Sequence, residues 1–128
     1  MRAHFILFVR DQARSRAFYA RVLERAPRLD VPGMTELELG PGAVLGLMPE
    51  VSITRLLEGR VEPGAARGVA RAELYLHVDD VAAWHTRALA AGATELSPPA
   101  PRSWGHEASY VADPDGHVVA FARALEAE

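Results

Sequence analysis

The chain contains no cysteine. Disulfides, thiolate metal sites and a cysteine nucleophile are therefore excluded. It also lacks a basic excess: formal net charge is −3 at pH 7 and the sequence pI is about 5.9. No basic cluster with interleaved aromatics occurs, so neither nucleic acid nor an anionic membrane surface is an expected partner. Long hydrophobic runs are missing as well. The strongest apolar run near the start, Phe5 to Val9, is far too short for a signal segment or a membrane span. A cytoplasmic protein is the expectation.

What is present fits one soluble globular domain spanning 1–128. Apolar residues make up 49% and charged residues 24% of 128 positions, enough for one real core and too few residues for two ordinary domains. "HFILFV" (4–9) is a compact run of β formers and reads as a strand. Asp11 is placed to cap a helix over about 12–24, with Phe18 and Val22 four apart on its buried face. Short strands are expected at 28–31, 35–40 and 43–48, the second marked by polar–apolar alternation in "TELELG". Residues 50–71, rich in Pro, Gly and charge, read as a linker or flap, with one helical turn at most over 53–58.

The pattern then restarts. "ELYLHV" (73–78) reads as a strand, Asp79 or Asp80 as the cap of a helix over about 81–91, and Gly92 as its stop. A strand begins at "TEL" (94–96) and gives way to the Pro-rich loop "SPPAPRSWG". Strands over 107–112 and 117–122 follow, joined by the turn "DPDG". The offset that places His4 on Glu73 also places Val9 on Val78 and Asp11 on Asp80, the mark of an internal duplication. The expected fold is α+β, two βαβββ modules in tandem at about 2–49 and 72–123.

The two βαβββ modules, the strand-then-Asp helix entries and the closing "DPDGHVVAF" resemble the vicinal oxygen chelate superfamily, which includes glyoxalases, bleomycin-resistance proteins and extradiol dioxygenases. The resemblance covers nearly the whole chain. It implies that each sheet curls into half of an open cup with its helix outside, and that the protein is a homodimer. Strand alternation then sets Phe5, Leu7 and Val9 under the first helix and His4, Ile6 and Phe8 on the open face. In the second module Leu74, Leu76 and Val78 go under the helix, and Glu73, Tyr75 and His77 face outward from it.

The resemblance also implies four metal-ligand positions, matched here by His4, Gly46, Glu73 and Ala120. Gly46 and Ala120 carry no donor, and two remaining ligands fall short of the roughly three that a catalytic divalent site uses. No cofactor is expected, with a divalent metal as the less favoured alternative. Glu73 and His4 are the candidate catalytic residues: a carboxylate desolvated in an apolar cup would serve as a general base. The plainer reading of Glu73 is a water-facing residue or a partner of Arg102. Phe8, Glu38, Met48, Tyr75, His77, Arg102, Trp104 and Tyr110 are the candidate ligand-binding residues. Trp104 is suited to stack on a planar molecule and Arg102 to hold an anion; Trp104 as a plug is the plainer alternative. His85 reads as helix surface or packing. The leading functional expectation is a pocket that binds a small organic molecule without metal. The alternative is a lyase, isomerase or dioxygenase-like enzyme using Glu73 or His4 as base, or an atypical metal set.

Overall fold

Each half of the chain opens with an apolar strand that feeds a capped helix. The computed structural model of the protein describes residues 1–126, which divide into two units, Met1–Val69 and the chain from Ala70 on. The first holds β1 (Ala3–Val9), α1 (Gln12–Leu23), β2 (Leu29–Val31), β3 (Met34–Gly40), β4 (Ala43–Pro49), α2 (Glu50–Leu56) and a 3-10 turn at Pro63–Ala65. The second holds β5 (Glu73–His77), α3 (Val81–Ala90), β6 (Thr94–Pro101), β7 (His106–Ala112) and β8 (Val118–Ala124). Both are α+β, and both build one four-stranded sheet of the same topology, β1-β4-β3-β2 and β5-β8-β7-β6. The first strand of each runs parallel to the last, and the remaining pairs are antiparallel. Parallel neighbours cannot be joined by a tight turn, so a helix and a hairpin intervene in both. The registers correspond too: His4 lies opposite Val44, and Glu73 opposite Val118.

The caps behave as read. Asp11 accepts from the backbone N–H of Arg14 at 3.0 Å and Asp80 from that of Ala83 at 3.1 Å, each satisfying a first-turn donor that the helix leaves open. Gly92 follows α3 at a φ of 109°, a backbone state that side chains disfavour. In the "DPDG" turn, Oδ1 of Asp113 accepts from the N–H groups of Asp115 and His117, both at 2.8 Å.

Phe18, Tyr19 and Val22 of α1 are buried, as are Leu37 of β3 and Leu45 and Leu47 of β4. In the second unit Val81 and Ala88 of α3, Val111 of β7, and Val119 and Phe121 of β8 form the core, with Trp84 packed on Phe121 at 5.8 Å between ring centres. His85 of α3 is buried, and its Nε2 lies 2.7 Å from Glu95 Oε2.

Three expectations need correction. Phe5 shares the helix-side face of β1, yet it is 55% exposed. The α1 helix lies chiefly over β3 and β4 rather than β1, so it does not cover the start of that strand. The segment after β4 holds more than the single turn expected over 53–58, because α2 starts at once at Glu50 and runs to Leu56. None of its residues is buried, so it writes no apolar periodicity into the sequence. Finally, β6 does not stop at Leu96. It continues through Pro98 and Pro99, with the register slipping on both sides of Ser97. The strand lies at the sheet edge, where a missing ladder N–H and a bulge are tolerated. Among the described residues, no helix is long and apolar enough to cross a membrane.

Candidate functional site

The alternation of β8 sets up the open face of the second sheet. Val119 and Phe121 point to the α3 side, which leaves Val118, Ala120, Ala122 and Ala124 on the other. The strand pairings then place Glu73 beside Val118, Tyr75 and Tyr110 on either side of Ala120, His77 beside Ala122, and His106 beside Ala124. Ala120 and Ala122 are fully buried. Strands β5 and β7 lie two strand spacings apart, about 9.6 Å. Methyl-sized residues between them let long side chains lean in and meet across β8.

They do meet. The Tyr75 hydroxyl lies 2.9 Å from Trp104 Nε1 and 2.8 Å from His106 Nδ1. The indole N–H can only donate, so the tyrosine oxygen accepts it; whether that oxygen also accepts from the imidazole or donates to it is set by the histidine tautomer. The rings of Tyr75, His77 and His106 sit 5.3 to 5.9 Å apart, centre to centre. Trp104 is 54% exposed, so its indole is tethered at one atom and leaves much of its surface open to solvent.

The tight turn between β6 and β7 holds Trp104 in place. The backbone N–H of Arg102 donates to the carbonyl of His106 at 2.7 Å, that of Gly105 donates back to Arg102 at 3.1 Å, and Gly105 takes a φ of 88°. The Arg102 side chain reinforces the turn from below: Nε and Nη2 donate to the carbonyl of Ala108, and Nη2 also reaches Ser97 Oγ and the carbonyl of Pro98. Its guanidinium carbon lies 5.2 Å from the centre of the Tyr110 ring. Arg102 is thus a loop anchor first, with Nη1 as its remaining donor. The Tyr110 phenol is pushed above its ordinary value, first by burial, then by the nearby Glu73 carboxylate and by Tyr75; Arg102 opposes the shift. Glu73 itself is exposed, so the desolvated carboxylate expected there is not what this face holds. Nor does it pair with Arg102, whose partners are those just named.

The first unit collects the other candidates on its own sheet. His4, Ile6 and Phe8 of β1 share a face with Val44, Gly46 and Met48 of β4 and with Glu36 and Glu38 of β3. His4 Nδ1 is 3.4 Å from Glu36 Oε2, while Arg28 Nε is 3.2 Å from Glu36 Oε1 and its Nη1 is 3.8 Å from Glu38 Oε1. A side chain at Gly46 would be crowded: a Cβ there would lie 3.0 Å from Ile6 Cγ1 and 3.3 Å from Met34 Sδ, so these side chains would have to give by a few tenths of an ångström.

Two candidate metal positions are therefore filled by packing, Gly46 by Ile6 and Met34 and Ala120 by its place between two tyrosines. Among the described residues, no three of His, Cys, Asp and Glu come together as a metal-binding group. The side chains present do not fit the superfamily's metal set.

The family model for the glyoxalase/bleomycin resistance protein/dioxygenase superfamily matches residues 2–121. The chain belongs to this superfamily. No curated protein sequence matches it. Among solved structures, the chain is similar to a glyoxalase-related enzyme from Fulvimarina pelagi, with 27% identity, a TM-score of 0.81, and coverage of 96% of this chain and 87% of that one. It also resembles a glyoxalase/bleomycin resistance protein/dioxygenase family enzyme from Burkholderia phytofirmans PsJN, at 20% identity and a TM-score of 0.83 over 95% and 97% of the two chains. A third likeness is TioX from Micromonospora sp. ML1, at 22% identity and a TM-score of 0.65 over 98% and 99%. The last two likenesses speak to the fold alone.

Sequence reasoning missed His106. It falls between the loop "SPPAPRSWG", which ends at Gly105, and the strand expected over 107–112, so neither pattern assigns it a face. Starting β7 one residue earlier puts His106 in phase with Tyr110, four residues on, and the period-2 rule then assigns it to the open face.

Proposed function

We propose that this superfamily member binds a small, flat organic molecule on the open face of its second sheet, without a metal at the four superfamily positions. The observation that carries this reading is the Tyr75 hydroxyl held between Trp104 and His106. The contact orders an exposed indole before any ligand arrives, so less side-chain freedom is lost on binding. An ordered, half-exposed indole beside imidazoles and a phenol offers a stacking surface with polar groups at its margin, the mixture that small-molecule sites use. Arg102 adds a positive charge and the Nη1 donor, which favours a ligand with a carboxylate or another anionic group.

The test is calorimetric titration of metal-free protein with a panel of planar aromatic acids, 2-naphthoate among them. Trp104→Ala and Tyr75→Phe are expected to weaken binding about tenfold or more, since each removes an anchor worth about 1.4 kcal/mol or better. Glu73→Gln is expected to leave affinity unchanged. Equal binding by wild type and Trp104→Ala would reject the site.

A second reading, an acid–base enzyme, draws support from His4 lying 3.4 Å from Glu36, a carboxylate able to orient an imidazole. Turnover of a bound compound that His4→Ala or Glu73→Gln abolishes would favour it.

A further inference from the structure

The pair His77 and His106 borders the stacking site just described, which uses His106 only through its contact with Tyr75, and the pair has a geometry of its own. The two rings come from β5 and β7 and meet beside Ala122 and Ala124 of the intervening β8. Their centres are 5.3 Å apart and their planes cross at 82°. A zinc–nitrogen bond of about 2.0–2.1 Å, extended by about 1.1 Å to the ring centre, gives two arms of about 3.2 Å; at a tetrahedral angle of about 109° their ends lie about 5.2 Å apart. The observed centre separation leaves room for two imidazoles to share one ion once a nitrogen of each is turned toward it. His77 is exposed and His106 half-buried, so water can complete the coordination. Nδ1 of His106 lies 2.8 Å from the Tyr75 hydroxyl; in the tautomer with its proton on Nδ1 the ring donates to the Tyr75 oxygen, the outer hydrogen bond that metal-bound histidines generally make, and Nε2 is the ligating atom.

We propose that His77 and His106 form an exchangeable site for a divalent first-row transition metal ion, with zinc as its natural probe. Imidazole nitrogen suits zinc, copper and nickel ions, and two protein ligands with open water positions make the site labile rather than structural. The site is separate from the four superfamily positions and does not depend on the organic-ligand reading, since it is tested with the metal alone.

The experiment uses the full chain, free of any affinity tag and stripped with EDTA, titrated with Zn2+ in a calorimeter. One ion per chain is expected. Imidazole nitrogen NMR of the unmodified protein is expected to show two rings coordinated, those of His77 and His106, and this readout needs no variant to fold. His77→Ala and His106→Ala are each expected to weaken binding tenfold or more, and the double variant to abolish it. Tyr75→Phe keeps both ligands and is expected to cost about tenfold. His4→Ala is expected to leave the zinc affinity as it is in the unmodified protein. Binding that survives the double variant, that is lost in His4→Ala, or that moves no imidazole signal of His77 or His106 would overturn the proposal. So would the absence of any binding.

Discussion

Ala120 shows how a single side chain sets the chemistry available on this face. The superfamily resemblance marks its position as a metal-ligand position, yet the residue is fully buried and flanked by Tyr75 and Tyr110. Restoring a carboxylate is therefore not expected to restore a metal site. Ala120→Glu would bury a charge with no designated partner, and a loss of about 3–5 kcal/mol in urea unfolding is expected. A variant as stable as wild type that gained tight metal binding would show that the tyrosines can yield. Tyr110 makes a second residue-level test. Its phenol is held above the ordinary value, chiefly by burial. The folded protein thus favours the neutral phenol. That preference supports the fold fully below the ordinary tyrosine range near 10, and it is lost as pH rises through the higher folded value. Ultraviolet titration is expected to show one late-ionising tyrosine that Tyr110→Phe removes.

At this scale the sequence was informative wherever period-2 alternation sufficed. Tyr75 and His77 lie on the face expected of them. What alternation does not convey is which side chains lean together. The Tyr75 contact with Trp104 joins residues 29 apart in the chain. Nothing in either local pattern encodes that meeting, which depends on the alanines of a third strand. Likewise, nothing in "PRSWGHE" reveals that Arg102 spends most of its donors on its own turn.

At the scale of elements, the caps were the most legible features, because an N-cap needs only a short acceptor one residue before the helix. Asp11 and Asp80 play the same part in their two units. Asp11→Ala and Asp80→Ala are each expected to cost about 1 kcal/mol in chemical denaturation, while Asn at either position retains most of the stability. An equal loss for Asn and Ala would point to charge rather than hydrogen bonding. The opposite case is β6, where Pro98 and Pro99 argued for a loop. Strand propensity assumes that every N–H is needed, and an edge strand relaxes that demand. The α2 helix was legible only as one turn over 53–58 for a related reason: with no buried residue it carries no hydrophobic period that would mark its start at Glu50.

For the whole molecule, duplication was the decisive signal. A chain that spells βαβββ twice with matching Asp caps restricts the possible topologies to very few, and the observed sheets repeat strand order and register from one unit to the other. The candidate site residues divide between two sheets. His4, Phe8, Glu38, Met48 and Gly46 belong to the first. Glu73, Tyr75, His77, Tyr110 and Ala120 belong to the second, with Arg102 and Trp104 on the turn that leads into its β7. Only the second brings an ordered aromatic surface together, and the proposed binding function rests there.

The most direct test uses Trp104 as its own reporter. The chain has two tryptophans, and Trp84→Phe leaves Trp104 as the sole indole. Titrating EDTA-treated Trp84→Phe protein with 2-naphthoate is expected to quench that fluorescence saturably, and adding Tyr75→Phe to weaken the effect about tenfold. An indole that does not respond, or a response that needs added metal, would contradict metal-independent binding on this face.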